Sequence, residues 1–259
     1  MAIISVEEVG KSYQSRQGSV KALTGINFQI TEGEFVSIVG PSGCGKSSLL
    51  YMIGGFIPTE IGSIRVQGDP VTGPGIDRGV VFQQYALFPW LTVEDNIAYG
   101  LKSTGVPKAE RQAIVDAYTR MVGLTAFKKR YPRELSGGMQ QRVALARTLA
   151  YDPKILLLDE PFGALDAQTR ETMQDELLKI WQSTGKTILM VTHDVDESVY
   201  LSQRVLVMSS QPGRIVHEFD IDLDRGQGRE ATVVSDEFGR LRNQVWLAVR
   251  RQISQREAL

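Results

Sequence analysis

Gly40-Pro-Ser-Gly-Cys-Gly-Lys-Ser47 fits the pattern G-x-x-x-x-G-K-[ST], and the reading of that stretch decides the fold. Apolar Phe35-Val-Ser-Ile-Val39 before it predicts a strand, and Ser47-Ser-Leu-Leu-Tyr-Met-Ile53 after it predicts the start of a helix. A strand, a tight glycine loop and a helix N-terminus together make an anion site, because backbone N–H groups and the positive end of the helix dipole converge on one point. Gly40, Gly43 and Gly45 let the backbone curl around phosphate where a Cβ would obstruct it. Lys46 is placed to reach β- and γ-phosphates, and the Ser47 hydroxyl to ligate Mg²⁺. Pro41, Ser42, Cys44 and Ser48 complete the run of candidate binding positions. The pattern predicts a bound nucleoside triphosphate.

The rest of the composition is that of an ordinary globular chain. Its 259 residues are 42% hydrophobic and 23% charged, ample for a sizeable core. A formal net charge of -1 supplies no general basic field for nucleic acid or anionic lipid. Cys44 is the only cysteine, so no internal disulfide can form and a reducing compartment is the simple reading. Met1-Ala-Ile-Ile-Ser-Val-Glu-Glu alternates like an edge strand and lacks the pattern of a secretory signal. No apolar run reaches the roughly 18 residues of a spanning helix, so a soluble chain is expected, with any membrane role passing through a partner.

Short β-prone runs at Ile3 to Val9, Ile26 to Ile30, Phe35 to Val39, Ser63 to Val66 and Gly79 to Phe82 make the first third β-rich. From Pro107 to Ala150 the apolar residues recur at three- and four-residue steps, which predicts helices. Ile155 to Leu158, Thr187 to Val191 and Arg204 to Met208 read as further strands, with helices near Ala167 to Ser183 and after His193. Alternation of this kind predicts a mostly parallel sheet covered on both faces, with a helical segment, about 87–151, inserted in the α/β chain. Past Gly213 the rhythm is lost. Asp220 to Gly228 reads as a linker, which puts the main domain at 1–219 and a linker with a C-terminal helix at 220–259. Phe238, Leu241, Val245, Val249 and Ile253 recur at helical spacing beside Arg240, Arg242, Arg250 and Arg251. That amphipathic helix has two readings, docking on its own domain or forming a surface for a partner or an anionic membrane face.

A phosphate loop needs an acidic partner for Mg²⁺. Ile155-Leu-Leu-Leu-Asp-Glu160 supplies a hydrophobic strand ending in two carboxylates, at the C-terminal edge where parallel sheets bind ligands. Asp159 is the candidate metal ligand, and Glu160 the candidate general base for the attacking water. The competing reading, a pair of acids capping the next helix, is weakened by the loop upstream.

Leu135-Ser-Gly-Gly-Met-Gln-Gln-Arg142, shortly before that strand, resembles the signature motif of ABC transporter ATPases. Physically it offers Ser136 and the amides after it at a helix N-terminus, a second phosphate-binding end. The resemblance implies an α/β fold of the P-loop NTPase ABC-cassette type, with a RecA-like core, an antiparallel β subdomain and an inserted α-helical subdomain. It further implies a head-to-tail dimer of two copies with two ATP molecules between them, each γ-phosphate facing Ser136, Gly137 and Gly138 of the opposite copy. Other family elements appear in order. Tyr13 resembles the aromatic that stacks on adenine, or is an ordinary strand-end tyrosine. Gln83 resembles the glutamine that contacts Mg²⁺ and the attacking water, with Gln84 beside it leaving the assignment open. Asp166 in Ala164-Leu-Asp166 resembles the loop that couples two active sites, and His193 resembles the switch histidine on the γ-phosphate. His217 matches nothing and is expected at the surface.

Tyr85-Ala-Leu-Phe-Pro-Trp-Leu-Thr-Val93 is unusually aromatic for a loop, and in this family the segment after Gln83 meets the permease. The readings are a docking surface for integral membrane permease subunits or internal packing. Gly73-Pro-Gly-Ile-Asp-Arg78, Leu87-Phe-Pro-Trp90 and Ser209-Ser-Gln-Pro-Gly-Arg214 resemble the nitrate/sulfonate/taurine branch of bacterial import ATPases. That resemblance implies an ATP-hydrolysing subunit powering import of a small anionic or organic solute, of the nitrate, sulfonate, taurine or bicarbonate class. It implies a peripheral position on the cytoplasmic face of the inner membrane, and a periplasmic or lipid-anchored solute-binding protein that selects the cargo. The other class weighed is a soluble ABC ATPase acting on nucleic acid or ribosomes; a single cassette and near-neutral charge argue against it, and no nucleic acid partner is expected.

Overall fold

Burial at every position of Phe35–Val39 makes it the inner strand that its apolar run predicts. The computed structural model describes residues 2–15 and 18–257. In chain order they form β1 (Ala2–Ser15), β2 (Gly18–Thr31), β3 (Phe35–Val39), α1 (Lys46–Ile53), β4 (Ile61–Val66) and the short β5 (Asp69–Pro70). Next come β6 (Arg78–Val81), α2 (Val93–Ser103), α3 (Lys108–Met121), α4 (Gly137–Ala150), β7 (Ile155–Asp159) and α5 (Ala167–Thr184). The chain closes with β8 (Thr187–Thr192), α6 (Val195–Leu201), β9 (Arg204–Met208), β10 (Ile215–Asp220), α7 (Arg229–Val233) and α8 (Asp236–Glu257). Two units result, one of Met1–Gly75 with Trp181–Leu259 and one of Ile76–Ile180.

In the first unit β2, β1, β4 and β5 pair antiparallel in that order. β3 lies parallel to β8 on one side and β9 on the other, with Ile38 opposite both Val191 and Leu206. All of β8 is buried as well, so both strands read as continuous apolar runs and not as alternation. The inner hydroxyl of β3, Ser37 Oγ, shares a 2.5 Å hydrogen bond with Ser202 Oγ, which removes the cost of an unpaired polar atom. Trp181 meets Phe35 edge-on, ring centroids 5.9 Å apart, and donates from Nε1 to the Gly33 carbonyl at 2.8 Å.

Two expectations change in this unit. β1 and β2 run well past Ile3–Val9 and Ile26–Ile30, with Lys11 opposite Leu23 and Tyr13 opposite Val20. Lys11, Ser12 and Gln14 on β1, and Ser19 and Lys21 beside Val20, Ala22 and Leu23 on β2, break the apolar period, so no regular run marks them. The strand rhythm also does not end at Gly213: β10 pairs antiparallel with β9 at the edge of its sheet. An edge strand with no buried position has no hydrophobic period to read.

In the second unit β6 and β7 are parallel, Gly79 opposite Leu156, and α2 and α3 pack against α4. Helical structure begins at Val93, earlier than the Pro107 expected from periodicity. Thr92 caps α2 by accepting from the Asp95 amide at 3.3 Å, with Glu94 and Asp95 in the first turn. Buried Asn96 holds the incoming loop, accepting from the Phe88 amide at 2.9 Å and donating to the Leu91 and Thr92 carbonyls at 3.0 Å each.

Phe35→Ala should lower unfolding free energy by about 3–5 kcal/mol, the usual cost of emptying a fully buried aromatic site. Urea denaturation followed by far-UV circular dichroism measures it; a loss under about 1 kcal/mol would mean that the core around β3 and Trp181 collapses into the space.

Candidate functional site

The first unit carries the phosphate loop. Its turn ends at Gly45, which stands at φ +102° as the N-cap of α1. That left-handed conformation strains any side chain, and a Cβ there would lie 2.6 Å from Leu23 Cδ2. With glycine as cap, no capping side chain covers the first turn of α1. Lys46, buried despite its charge, donates from Nζ to the Gly40 carbonyl at 2.8 Å and the Pro41 carbonyl at 3.1 Å. Its ammonium therefore sits over the loop, and the two carbonyls answer the cost of burying it. Cys44 is buried beneath it, Sγ 4.0 Å from Nζ.

A residue the sequence reading did not single out backs this loop. Gly213 donates to the Ala22 carbonyl at 2.8 Å and accepts from the Thr24 amide at 3.1 Å. A Cβ on it would lie 2.1 Å from the Cys44 carbonyl oxygen. The Pro212-Gly213 pair reads as a turn and the Ser209 to Arg214 stretch carries a family resemblance, but neither says what lies across from Gly213.

Tyr13 is exposed on β1, and its hydroxyl donates to Ser48 Oγ at 3.0 Å, which brings the ring beside the first turn of α1. Lys11 Nζ lies 5.6 Å from the ring centroid and is ion-paired with Glu60. His193 is exposed in the turn between β8 and α6. His217 is exposed on β10.

The second unit carries the carboxylates. Asp159, at the C-terminal end of β7, is 1% exposed. Glu160 follows at φ +46°, a left-handed conformation that costs a non-glycine residue on the order of 1–3 kcal/mol. Gln83 donates from Nε2 to Glu160 Oε2 at 3.2 Å, so of the two glutamines in the loop it is Gln83 that faces the carboxylate. Gln141, buried on α4, donates to the Glu160 carbonyl at 3.0 Å and accepts from the Ala164 amide at 3.1 Å. Quoted in the Ser136 motif but assigned no role there, it ties that helix to the turn bearing Glu160. A glutamine in a polar Met-Gln-Gln-Arg run gives no sequence sign of burial.

Ser136 is the N-cap of α4, its Oγ accepting from the Met139 amide at 3.3 Å, and Gly137 and Gly138 form the first turn. Asp166 accepts from the Thr169 amide at 3.0 Å. That amide first, and the Thr169 hydroxyl second, hold the Asp166 carboxyl below the usual carboxylate range. The aromatic loop divides in two. Phe88 packs on Tyr99 with centroids 4.3 Å apart and under the Arg147 guanidinium at 5.6 Å, whereas Trp90 is 71% exposed. Arg147 fastens the loop by donating to the Ala86 carbonyl at 2.7 Å.

The profile of the ABC transporter family matches residues 23–163, from before the phosphate loop to beyond the two carboxylates. The chain belongs to this family. It is 53% identical to the nitrate import ATP-binding protein NrtD of Synechocystis over 220 residues, 85% of this chain and 83% of that one. It is 44% identical to the taurine import ATP-binding protein TauB of Escherichia coli over 245 residues, 93% and 95% of the two chains. The ATP-binding cassette MJ0796, solved as a dimer in a post-hydrolysis state with ADP and Pi, superposes with a TM-score of 0.78 at 34% identity, covering 85% of this chain and 99% of that one. The chain is therefore an ABC cassette of α/β P-loop NTPase fold, and an ATPase. No helix among the described residues is long and apolar enough to cross a membrane.

Gly213→Ala should weaken ATP binding by at least about tenfold, since the loop must shift to admit the methyl group and a small misplacement has a large effect. Equilibrium binding of a fluorescent ATP analogue measures this; affinity equal to the parent's would show that the loop is not held from behind.

Proposed function

We propose that this cassette hydrolyses ATP to power import of a small anionic or organic solute, of the nitrate, sulfonate, taurine or bicarbonate class, through permease subunits in a membrane. The observation that carries the catalytic half is the 3.2 Å approach of Gln83 to Glu160. The import half is supported by NrtD and TauB, a nitrate and a taurine import ATP-binding protein that resemble this chain over most of its length.

In this proposal Gly40 to Ser48 hold the triphosphate, with Tyr13 against the base and Lys46 on the β- and γ-phosphates. The donor set suits Mg²⁺, a hard cation that takes few protein ligands beside phosphate and water oxygens: a buried carboxylate on Asp159, the Ser47 hydroxyl and the Gln83 amide oxygen. Bound there, Mg²⁺ would neutralise charge on the phosphates. Glu160 takes the proton of the attacking water as its oxygen bonds to the γ-phosphorus and ADP departs. His193 touches the γ-phosphate, and Ser136, Gly137 and Gly138 of a second copy complete its surroundings, with Asp166 coupling the two sites. The backbone N–H groups at the N-terminus of α4 suit an anion, because Ser136 occupies only one of them.

Closure of two cassettes does work only where a partner binds the open and closed forms differently. Exposed Trp90, on a loop pinned by Arg147 and Asn96, is the proposed permease contact: an aromatic anchor on a fixed frame loses little freedom on docking. The cassette would then lie peripherally on the cytoplasmic face, with solute choice left to a separate binding protein.

Glu160→Gln should keep ATP affinity within a few-fold while turnover falls on the order of 10²–10⁴, the contribution of a positioned base. It should also accumulate an ATP-bound dimer on gel filtration; turnover at the parental rate would remove Glu160 from the role. For the transport half, tagged cassette purified in mild detergent should bring down a polytopic membrane protein. Recovery of ribosomal or DNA components in its place would overturn the import reading.

A further inference from the structure

α6 has seven residues, too few to stand by its own hydrogen bonds, and it follows His193 almost directly. At its start, Thr192 Oγ1 accepts from the Asp194 amide at 3.1 Å, and Asp194 Oδ1 accepts from the Glu197 amide at 3.1 Å. The turn bearing His193 is thus closed onto both β8 and α6. Where α6 stands decides where the imidazole stands.

The far end of α6 is held by residues outside every nucleotide motif. Arg225 donates from Nε to the Tyr200 carbonyl at 2.7 Å, and from Nη2 to the carbonyls of Ser202 at 2.5 Å and Val199 at 3.3 Å. The last turn of a helix leaves carbonyls without intrahelical donors and carries the negative end of the dipole, and a guanidinium answers both. Burial lowers the Arg225 pKa, but an arginine keeps its charge, so the clamp does not open at physiological pH. Arg242, on α8, donates to Asp196 Oδ1 at 2.7 Å and grips the first turn of the same helix.

We propose that Arg225 and Arg242 are positioning residues for ATP hydrolysis, fixing the His193 imidazole by clamping α6 at both ends. The proposal rests on the reading of His193 as the γ-phosphate contact. A side chain that meets a transferring group has to be held to about 1 Å, and losing that register costs up to about 10²-fold in rate. The C-terminal segment then serves the active site without touching nucleotide.

The test measures steady-state ATPase and equilibrium ATP binding of the full chain as Arg225→Gln, Arg225→Lys and Arg242→Gln, each with and without His193→Ala. Arg225→Gln should lower kcat roughly tenfold at unchanged ATP affinity, with part of the rate restored in Arg225→Lys, which keeps charge and donors. In the His193→Ala background the same change should cost nothing further, because residues acting through one group are not additive. Equal losses in both backgrounds, or undiminished kcat, overturn the proposal. Arg242→Gln removes a half-exposed ion pair that folding does not depend on. Should Arg225→Gln not fold, Arg242→Gln decides: a two- to threefold fall in kcat that vanishes beside His193→Ala supports the clamp, and an unchanged rate overturns it. His193→Ala turning over at the parental rate would overturn the role of His193 and the clamp with it; a slow His193→Ala with additive partners overturns the clamp alone.

Discussion

Between β3 and α1 the chain must reverse from a strand buried at every position into a helix, and it has almost no room in which to do so. Leu23 stands where a side chain at residue 45 would go, and the Cys44 carbonyl stands where one at residue 213 would go. The turn is consequently made of backbone, and backbone amides are what an anion can use. Parallel pairing of β3 with β8 and β9 anchors the front of this loop, and the hydrogen bonds of Gly213 to Ala22 and Thr24 anchor the back. Lys46 then adds the one full charge, kept over the loop by two of the loop's own carbonyls. A loop held in this way on both sides has little freedom left to lose on meeting an anion.

The carboxylate turn of the second unit depends on a different device. Glu160 adopts a backbone conformation that side-chain-bearing residues avoid, and such strain persists only where the surroundings over-determine it. Gln141 does this from beneath through the Glu160 carbonyl and the Ala164 amide, and Gln83 meets the carboxylate from the side. Two glutamines, neither of them charged, thereby fix where the Glu160 carboxylate stands.

The C-terminal helix illustrates how burial and exposure share one element. Phe238, Leu241, Val245 and Ala248 of α8 are buried at helical spacing, which accounts for the first three positions of the expected stripe by docking within the first unit, whereas Val249 is half-buried. Trp246, Leu247 and Ile253 remain exposed on the same helix. With Arg242 on Asp196 and Arg225 on the end of α6, this segment is joined to the turn of His193 by specific polar bonds and not by apolar burial alone.

Much of the family and the fold was legible in the residues themselves. The phosphate loop, the Asp159–Glu160 pair and the Ser136 motif are local: each is a few neighbours whose spacing specifies a backbone shape and a donor pattern. β3, β7 and β8 were equally plain, because a strand buried on both faces is predominantly apolar and not alternating. What sequence could not decide arises wherever a residue's role is set by what lies across from it. β10 and the outer halves of β1 and β2 carry no regular apolar period, and only pairing makes them strands. Gln83 and Gln84 are identical side by side until one of them meets Glu160. Phe88 and Trp90 differ in exposure because Tyr99 and Arg147 come to cover the first and nothing among the described residues covers the second to that degree. Gly213 comes to back the phosphate loop, Gln141 comes to hold the Glu160 turn, and Arg225 becomes the cap of a helix some two dozen residues back, only through tertiary proximity. Spacing along the chain encodes local geometry; distance through space does not follow from it.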